Sequence, residues 1–330
     1  MEYLPIKTLY LEVTHACNQH CRHCYLDGGM HHKPLEMSTE QIKHIIKEFS
    51  EQGGNYIIIT GGEPIVRTDI FEILSFIENL GIPVSFASNS LAMTPERLEK
   101  LAQFNCLDTY FTSILGGNAK EHEKIAGRDS YDKVLKALRF FDKKEIATYV
   151  QITLANEYIP EIKDIAKQLL SEYNCMVKFT PIGSLGVKSK DETHRNQELI
   201  VPKVKFKEFL EEVEALKIKY PGRIDDSNIK NYDQIKRMIV ENSENKLYSL
   251  SYGFLAVRPN GDMSFSCNMG NPYTFGKAYE SIKIPMDEKL LQYIEIIKAA
   301  EQQVLQDSIR NVVETEELVD YYIKSYKMKH

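Results

Sequence analysis

The chain has 330 residues, 43% of them hydrophobic and 27% charged, enough to bury one large core and carry a smaller unit beside it. Its 41 Lys and Arg against 47 Asp and Glu leave a formal charge of -6, so it offers no overall electrostatic footprint for a nucleic-acid backbone or an anionic membrane. No apolar run approaches the ~20 residues of a spanning helix, and the first residues enter a strand pattern without a signal-peptide plan, which reads as cytoplasmic.

Short β-rich runs then alternate with helical periodicity. TLYLEVT at 8–14 reads as a strand. MSTEQIKHIIKEFSEQGG at 37–54 reads as a helix, with Ser38 and Gln41 forming a capping box. Next come a strand NYIIITG at 55–61, a helix near 68–80 closed by Gly81, and a strand VSFASN at 84–89. Thr94 and Pro95 then stand as N-cap and first helical residue. The series continues with strand 108–115, a helix after Ser130, strand 147–154, a helix near 160–173 and strand 176–182.

Six βα repeats of this length pair their strands in parallel, as an open doubly wound sheet or as part of a (β/α) barrel. In either arrangement, loops at the C-terminal ends of the strands build the site. Past residue 190 the pattern changes to a charged linker and an amphipathic helix near 202–218. GFLAVRPNGDMSFSC at 253–267 reads as a hairpin about Pro259, Asn260 and Gly261, and 285–328 as helix. Three units are expected: 1–190, a helical linker region 191–250, and 251–330 with the hairpin and terminal helices.

The six cysteines are unevenly placed: Cys17, Cys21 and Cys24 share one loop just past the first strand, whereas Cys106, Cys175 and Cys267 stand alone. This is no disulfide framework, and a reducing compartment suits a thiolate metal site better. Three thiolates so spaced can hold three corners of an iron–sulfur cube and leave its fourth iron open. The alternatives are zinc, with a fourth ligand from His15, His20, His23, His31 or His32, a Cys21/Cys24 redox pair, or thiols that merely pack. A second motif, Thr60-Gly61-Gly62-Glu63-Pro64, ends the second strand. Its glycines permit close backbone approach, Glu63 can accept from an ammonium group, and Pro64 fixes the turn; an ordinary tight turn would look the same.

Together the two motifs resemble the radical S-adenosylmethionine superfamily over roughly residues 8–185. The resemblance implies a partial (β/α)6 TIM-like barrel with a small C-terminal β-hairpin plus helix appendage. It further implies that Cys17, Cys21 and Cys24 hold one four-iron, four-sulfur (4Fe-4S) cluster whose open iron takes the methionine part of S-adenosylmethionine. Glu63 and the Gly61–Gly62 backbone would bind the amine, with Pro64 completing the turn, and His23 and Tyr25 would lie against the adenine. Ser88-Asn89-Ser90 stands where the family often has Thr-Asn-Gly, and Ser113-Ile114-Leu115-Gly116 where it often has Ser-Leu-Asp-Gly. By that likeness Ser88, Asn89 and Ser113 would contact the cofactor, helped by Gln151. Leu115 and Ala126 depart from the pattern where relatives carry an acid and a carboxylate-binding Arg; Arg128 is a substitute for the latter.

The hairpin, followed by Phe275-Gly276, resembles the SPASM or twitch unit of peptide-modifying relatives. That unit normally binds auxiliary clusters, yet Cys267 is its one cysteine here, so a degenerate unit without an auxiliary cluster is expected. Cys267 is then a packed thiol or a hydrogen-atom donor, and Cys106 and Cys175 belong to the core. The expected activity is generation of a 5'-deoxyadenosyl radical for C–H activation, on a ribosomally made peptide by epimerisation or cross-linking, with a donor such as flavodoxin or ferredoxin. No separate peptide-recognition domain is expected before Cys17, so a leader peptide would use another docking surface or a partner protein. A small-molecule, cofactor-pathway radical enzyme and a non-catalytic zinc or redox-sensing module are the competing readings.

Overall fold

The computed structural model describes residues 3–24, 36–182, 199, 201, 203–226, 229, 253–265, 275–288 and 290–292. Strand β1 (Thr8–Glu12) leads to helix α1 (Thr39–Glu51), β2 (Tyr56–Thr60), α2 (Ile70–Asn79), β3 (Val84–Ala87), α3 (Pro95–Leu101) and β4 (Leu107–Ile114). Then follow α4 (Ala119–Ala126), α5 (Tyr131–Lys143), β5 (Ala147–Leu154), α6 (Ile159–Glu172), β6 (Cys175–Pro181), α7 (Lys203–Lys219), β7 (Ile224–Asp225), β8 (Phe254–Val257) and β9 (Met263–Ser264).

Local chemistry explains the helix starts. Ser38 Oγ accepts from the Gln41 backbone N–H at 3.2 Å while Gln41 Oε1 accepts from the Ser38 N–H at 2.9 Å, so the expected capping box is present. Behind it Ile42, Ile45, Ile46 and Phe49 bury one stripe of α1 at helical spacing. Thr94 caps α3 with Pro95 at its first turn, as the sequence predicts.

All strands join one nine-stranded sheet in the order β7-β6-β5-β4-β3-β2-β1-β8-β9. Neighbours from β7 to β8 pair in parallel, and β8 with β9 antiparallel. This is the partial, unclosed barrel expected. One strand parity packs under the helices: Leu9, Leu11, Ile57, Ile59, Val84 and Phe86 with the α1 and α2 stripes, and Val150, Ile152, Val177 and Phe179 with those of α5 to α7. The opposite parity is half-exposed and more polar, including Ser113, Tyr149, Gln151 and Lys178. That inner face is where a barrel of this class keeps its chemistry.

Three features were not legible in the sequence. Helix α4 forms across a stretch to which the sequence assigned no element, and β7 adds a seventh parallel strand within the region read as helical linker. The hairpin is continuous with the barrel sheet, β8 lying in register beside β1 from Thr8↔Phe254 to Leu11↔Val257. Its turn forms about Pro259–Gly261 as predicted, with the Arg258 N–H donating to Asp262 O at 2.8 Å. Cys106 and Cys175 are buried in the core as expected. Most of the predicted terminal helix lies outside the described residues, as do Tyr25, His31, His32 and Cys267.

Candidate active site

The cysteine loop leaves the C-terminal end of β1 and is fastened at both of its ends. The Arg67 guanidinium donates to Val13 O at 2.8 Å and Met37 O at 3.0 Å, and pairs with Asp69. Glu36 accepts from the Thr14 hydroxyl at 2.9 Å and the His15 N–H at 2.8 Å. The middle of the loop docks on the end of α4, where His20 N–H donates to Ala126 O and Arg22 N–H to Ile125 O. Ala126 is fully buried beneath that contact, which accounts for a small residue there.

The Gly-Gly-Glu-Pro segment crosses directly over the same loop. Gly62 N–H donates to Thr14 O at 2.7 Å and Glu63 N–H to Ala16 O at 2.8 Å. Gly61 has φ +143, and a Cβ there would run into Thr14 O; one on Gly62 would run into Ala16 O. These glycines therefore permit contact between two protein backbones, in addition to the close ligand approach the sequence suggested. Pro64 opens a 3₁₀ turn, Pro64–Val66, capped by Glu63.

Ser88-Asn89-Ser90 closes the third side. Asn89 N–H donates to Glu63 Oε2 at 2.6 Å, and its side-chain amide donates to Asn18 Oδ1 at 2.8 Å and Cys17 Sγ at 3.5 Å. Ser90 has φ +64 where the resembling family often has Gly. Adopting this left-handed conformation costs about 1–2 kcal/mol, offset by Ser90 Oγ bonding Tyr110 at 2.7 Å and Thr112 at 3.0 Å. Cys17, Glu63 and Ser88 are buried, and Asn89, which bonds both Cys17 and Glu63, is half-buried beside them.

Ser113 and Gln151 stand side by side in register on β4 and β5. The same row continues through Lys178 on β6 to Asp225 on β7. Lys178 Nζ lies 3.5 Å from Asp225, which also accepts from the Tyr149 hydroxyl. On the other flank Arg258 of the hairpin pairs with the fully buried Glu12 of β1. Sequence reasoning named none of these last residues. For Tyr149 and Lys178 the signal is the period-2 placement of polar residues in ATYVQITL and MVKFTPI. Arg128 is exposed, and its described contact is through the backbone, its carbonyl accepting from Ser130 Oγ at 3.5 Å.

Burial dominates the electrostatics. It pushes the Cys17 thiol up to about 11, opposed by the Gln19 N–H, and pushes Cys21 well above the usual thiol range, with Cys24 and Cys17 adding to the rise. The three sulfurs therefore lie in one another's field, and two N–H groups, of Gln19 and Asn89, already point at Cys17. Thiolates in such a place need a cation to compensate them, and hydrogen-bonded sulfur is the environment iron–sulfur centres use. The donor set fits a cluster held at three corners. His23 is held down at about 4 by burial, and its Nδ1 is sealed from solvent without a hydrogen-bond partner among the described residues. A neutral ring of this kind is suited to lie against a heterocycle.

Glu63 is pushed up to about 7 by burial, although Asn89, Ser88 and Ile65 donate to it. Its folded value exceeds the unfolded one, so its stabilising contribution is complete below about 4.5 and is lost as pH rises through about 7. Glu63→Gln removes this dependence. In the metal-free chain the variant gains on the unaltered protein by roughly 3 kcal/mol between pH 5 and pH 8, at 1.36 kcal/mol per pKa unit. Urea unfolding at the two pH values measures it, and an unchanged gap would refute the assignment.

Comparison with known proteins places this geometry. Residues 11–169 match the family profile described as the Radical SAM superfamily. The chain is 30% identical over 181 residues to mycofactocin maturase MftC of Mycolicibacterium smegmatis, covering 53% of this chain and 44% of that protein. It is 27% identical over 157 residues to AdoMet-dependent heme synthase of Oleidesulfovibrio alaskensis, covering 47% and 40%. It thus spans less than half of the curated relatives it matches. Its fold is similar to Streptococcus suis SuiB bound to S-adenosylmethionine, at TM-score 0.66 and 16% identity over 88% of this chain and 66% of that one. SuiB bound to precursor peptide SuiA gives 0.68 and 14%, over 84% and 64%. The segment that matches the radical SAM superfamily, residues 11–169, is the one that carries the cysteine loop, the Gly-Gly-Glu-Pro turn and strands β2 to β5 of the unclosed parallel barrel.

Proposed function

We propose that this chain is a radical enzyme acting on a ribosomally made peptide, by epimerisation or by side-chain cross-linking. The observation that supports the enzymatic part is that Asn89 joins Cys17 to Glu63, while Cys17, Cys21 and Cys24 lie in one another's field. Cys17, Cys21 and Cys24 would hold a 4Fe-4S cluster, which would supply the electron for reductive cleavage of S-adenosylmethionine to a 5'-deoxyadenosyl radical. The chain's own groups do the rest. Glu63 and the backbone of residues 61–62 orient the amine, Ser88 and Ser113 hold hydroxyl or carboxylate groups, Gln151 adds an amide, and His23 shields the adenine. The radical chemistry also requires that water and stray hydrogen donors be kept from the site. The electron comes from a reductant such as flavodoxin or ferredoxin.

Two resemblances support a peptide substrate: the fold is shared with a protein solved with a precursor peptide, and the sequence with one named a maturase. Likeness to a heme synthase favours a small-molecule substrate as the second reading. Co-expression with the short open reading frames neighbouring its gene, followed by mass spectrometry, decides. A peptide changed in mass or in stereochemistry supports the first reading. Unchanged peptides, from cells whose purified enzyme still forms 5'-deoxyadenosine, refute it in favour of the second.

A further inference from the structure

Behind the cysteine loop runs a chain of buried polar side chains that cofactor binding does not account for. Gln19, Ser130 and His122 are 4%, 0% and 1% exposed. Gln19 Nε2 donates to Ser130 Oγ at 2.7 Å, and Ser130 Oγ lies 2.8 Å from His122 Nε2. His122 Nδ1 accepts the Leu115 N–H at 3.1 Å. An accepting Nδ1 puts the ring proton on Nε2, so His122 donates to Ser130.

At its other end Gln19 touches two of the three cluster thiols. Its backbone N–H donates to Cys17 Sγ at 3.4 Å, and its Oε1 accepts the Cys21 thiol at 3.4 Å. The second contact suits a protonated sulfur. A ligating cysteine has lost that proton to solvent, and a carbonyl oxygen facing a thiolate is repulsive. Rotating the amide by half a turn reverses the contact. Nε2–H then points at Cys21, and Oε1 meets Ser130, whose hydroxyl turns to it from Arg128 O, a long contact of 3.5 Å, while His122 still supplies the hydrogen bond Ser130 accepts. Every member of the chain stays satisfied in both arrangements.

We propose that Gln19 is a positioning residue for the cluster, its amide turned by Ser130 and His122 to give Cys21 an N–H···S bond that raises the cluster's reduction potential. This rests on the radical SAM reading above. An N–H donor stabilises negative charge on sulfur, more so in the reduced, more negative cluster, so removing it makes reduction harder.

The test is an EPR-monitored redox titration of the full chain, reconstituted anaerobically with iron and sulfide, beside Gln19→Leu and Ser130→Ala. Gln19→Leu should load the cluster and lower its reduction equilibrium constant about tenfold, about 59 mV for one electron. Ser130→Ala, which frees the amide without deleting it, should shift it in the same direction by less. Loaded Gln19→Leu titrating at the unaltered potential overturns the proposal. Should Gln19→Leu not load, Ser130→Ala at the unaltered potential overturns it equally, and a shift there supports it. An unaltered chain that takes up no cluster at all would instead sink the functional reading itself.

Discussion

Cys21→Ala abolishes both cluster and chemistry: the variant stays colourless after anaerobic reconstitution and makes no 5'-deoxyadenosine above background. A cube held at three corners has no redundant thiolate, because the fourth iron must stay open for the cofactor. Cys21 is half-buried, so losing one sulfur costs the fold only about 1 kcal/mol. A metal-free variant that melts like the metal-free parent therefore isolates the chemical loss from unfolding. Iron analysis, the visible spectrum and chromatography of deoxyadenosine report the result. A brown, active Cys21→Ala chain would remove the basis of the assignment. Zinc bound in place of iron by the unaltered chain would favour a non-catalytic module.

Gly62→Ala should damage the site almost as severely with every ligand intact. The added Cβ would meet Ala16 O and lie 2.6 Å from His15 O and 2.7 Å from the Ala16 carbonyl carbon. These are backbone atoms of the cysteine loop, which cannot rotate away as a side chain could. The crossing is locked by the Gly62-to-Thr14 and Glu63-to-Ala16 hydrogen bonds, so relief must come from shifting the loop that carries Cys17. Overpacking of this kind costs about 1–3 kcal/mol, and here the displaced atoms are the cluster's own cradle. Iron content per chain should fall several-fold. Gly81→Ala is the control: its Cβ would meet nothing within 4 Å, and the strain of its positive φ, +67, falls after α2 rather than on the cysteine loop. Equal iron in both variants would show that the two backbones do not need this closeness.

The alternation of strand and helix was readable because both periods are local: polar and apolar residues repeat by two in ATYVQITL and by three and four in IKHIIKEF. Helix α4 escaped because AKEHEKIA is short and carries few apolar residues. It owes its place to the buried His122, Ile125 and Ala126, and to the loop resting on its end. Strand β7 escaped for a similar reason, two residues being too few to show a period.

By itself the sequence determined the class of fold and showed the two motifs, since thiolate spacing, a glycine-rich turn and hydrophobic repeats are each written within a few residues of one another. Tertiary structure alone decided which polar groups meet. Gln19 reaches Ser130 across 111 positions, and Lys178 pairs with Asp225 only because β6 and β7 align in register. Such meetings depend on strand order and helix packing, which are set by burial over the whole chain and leave no local period to read.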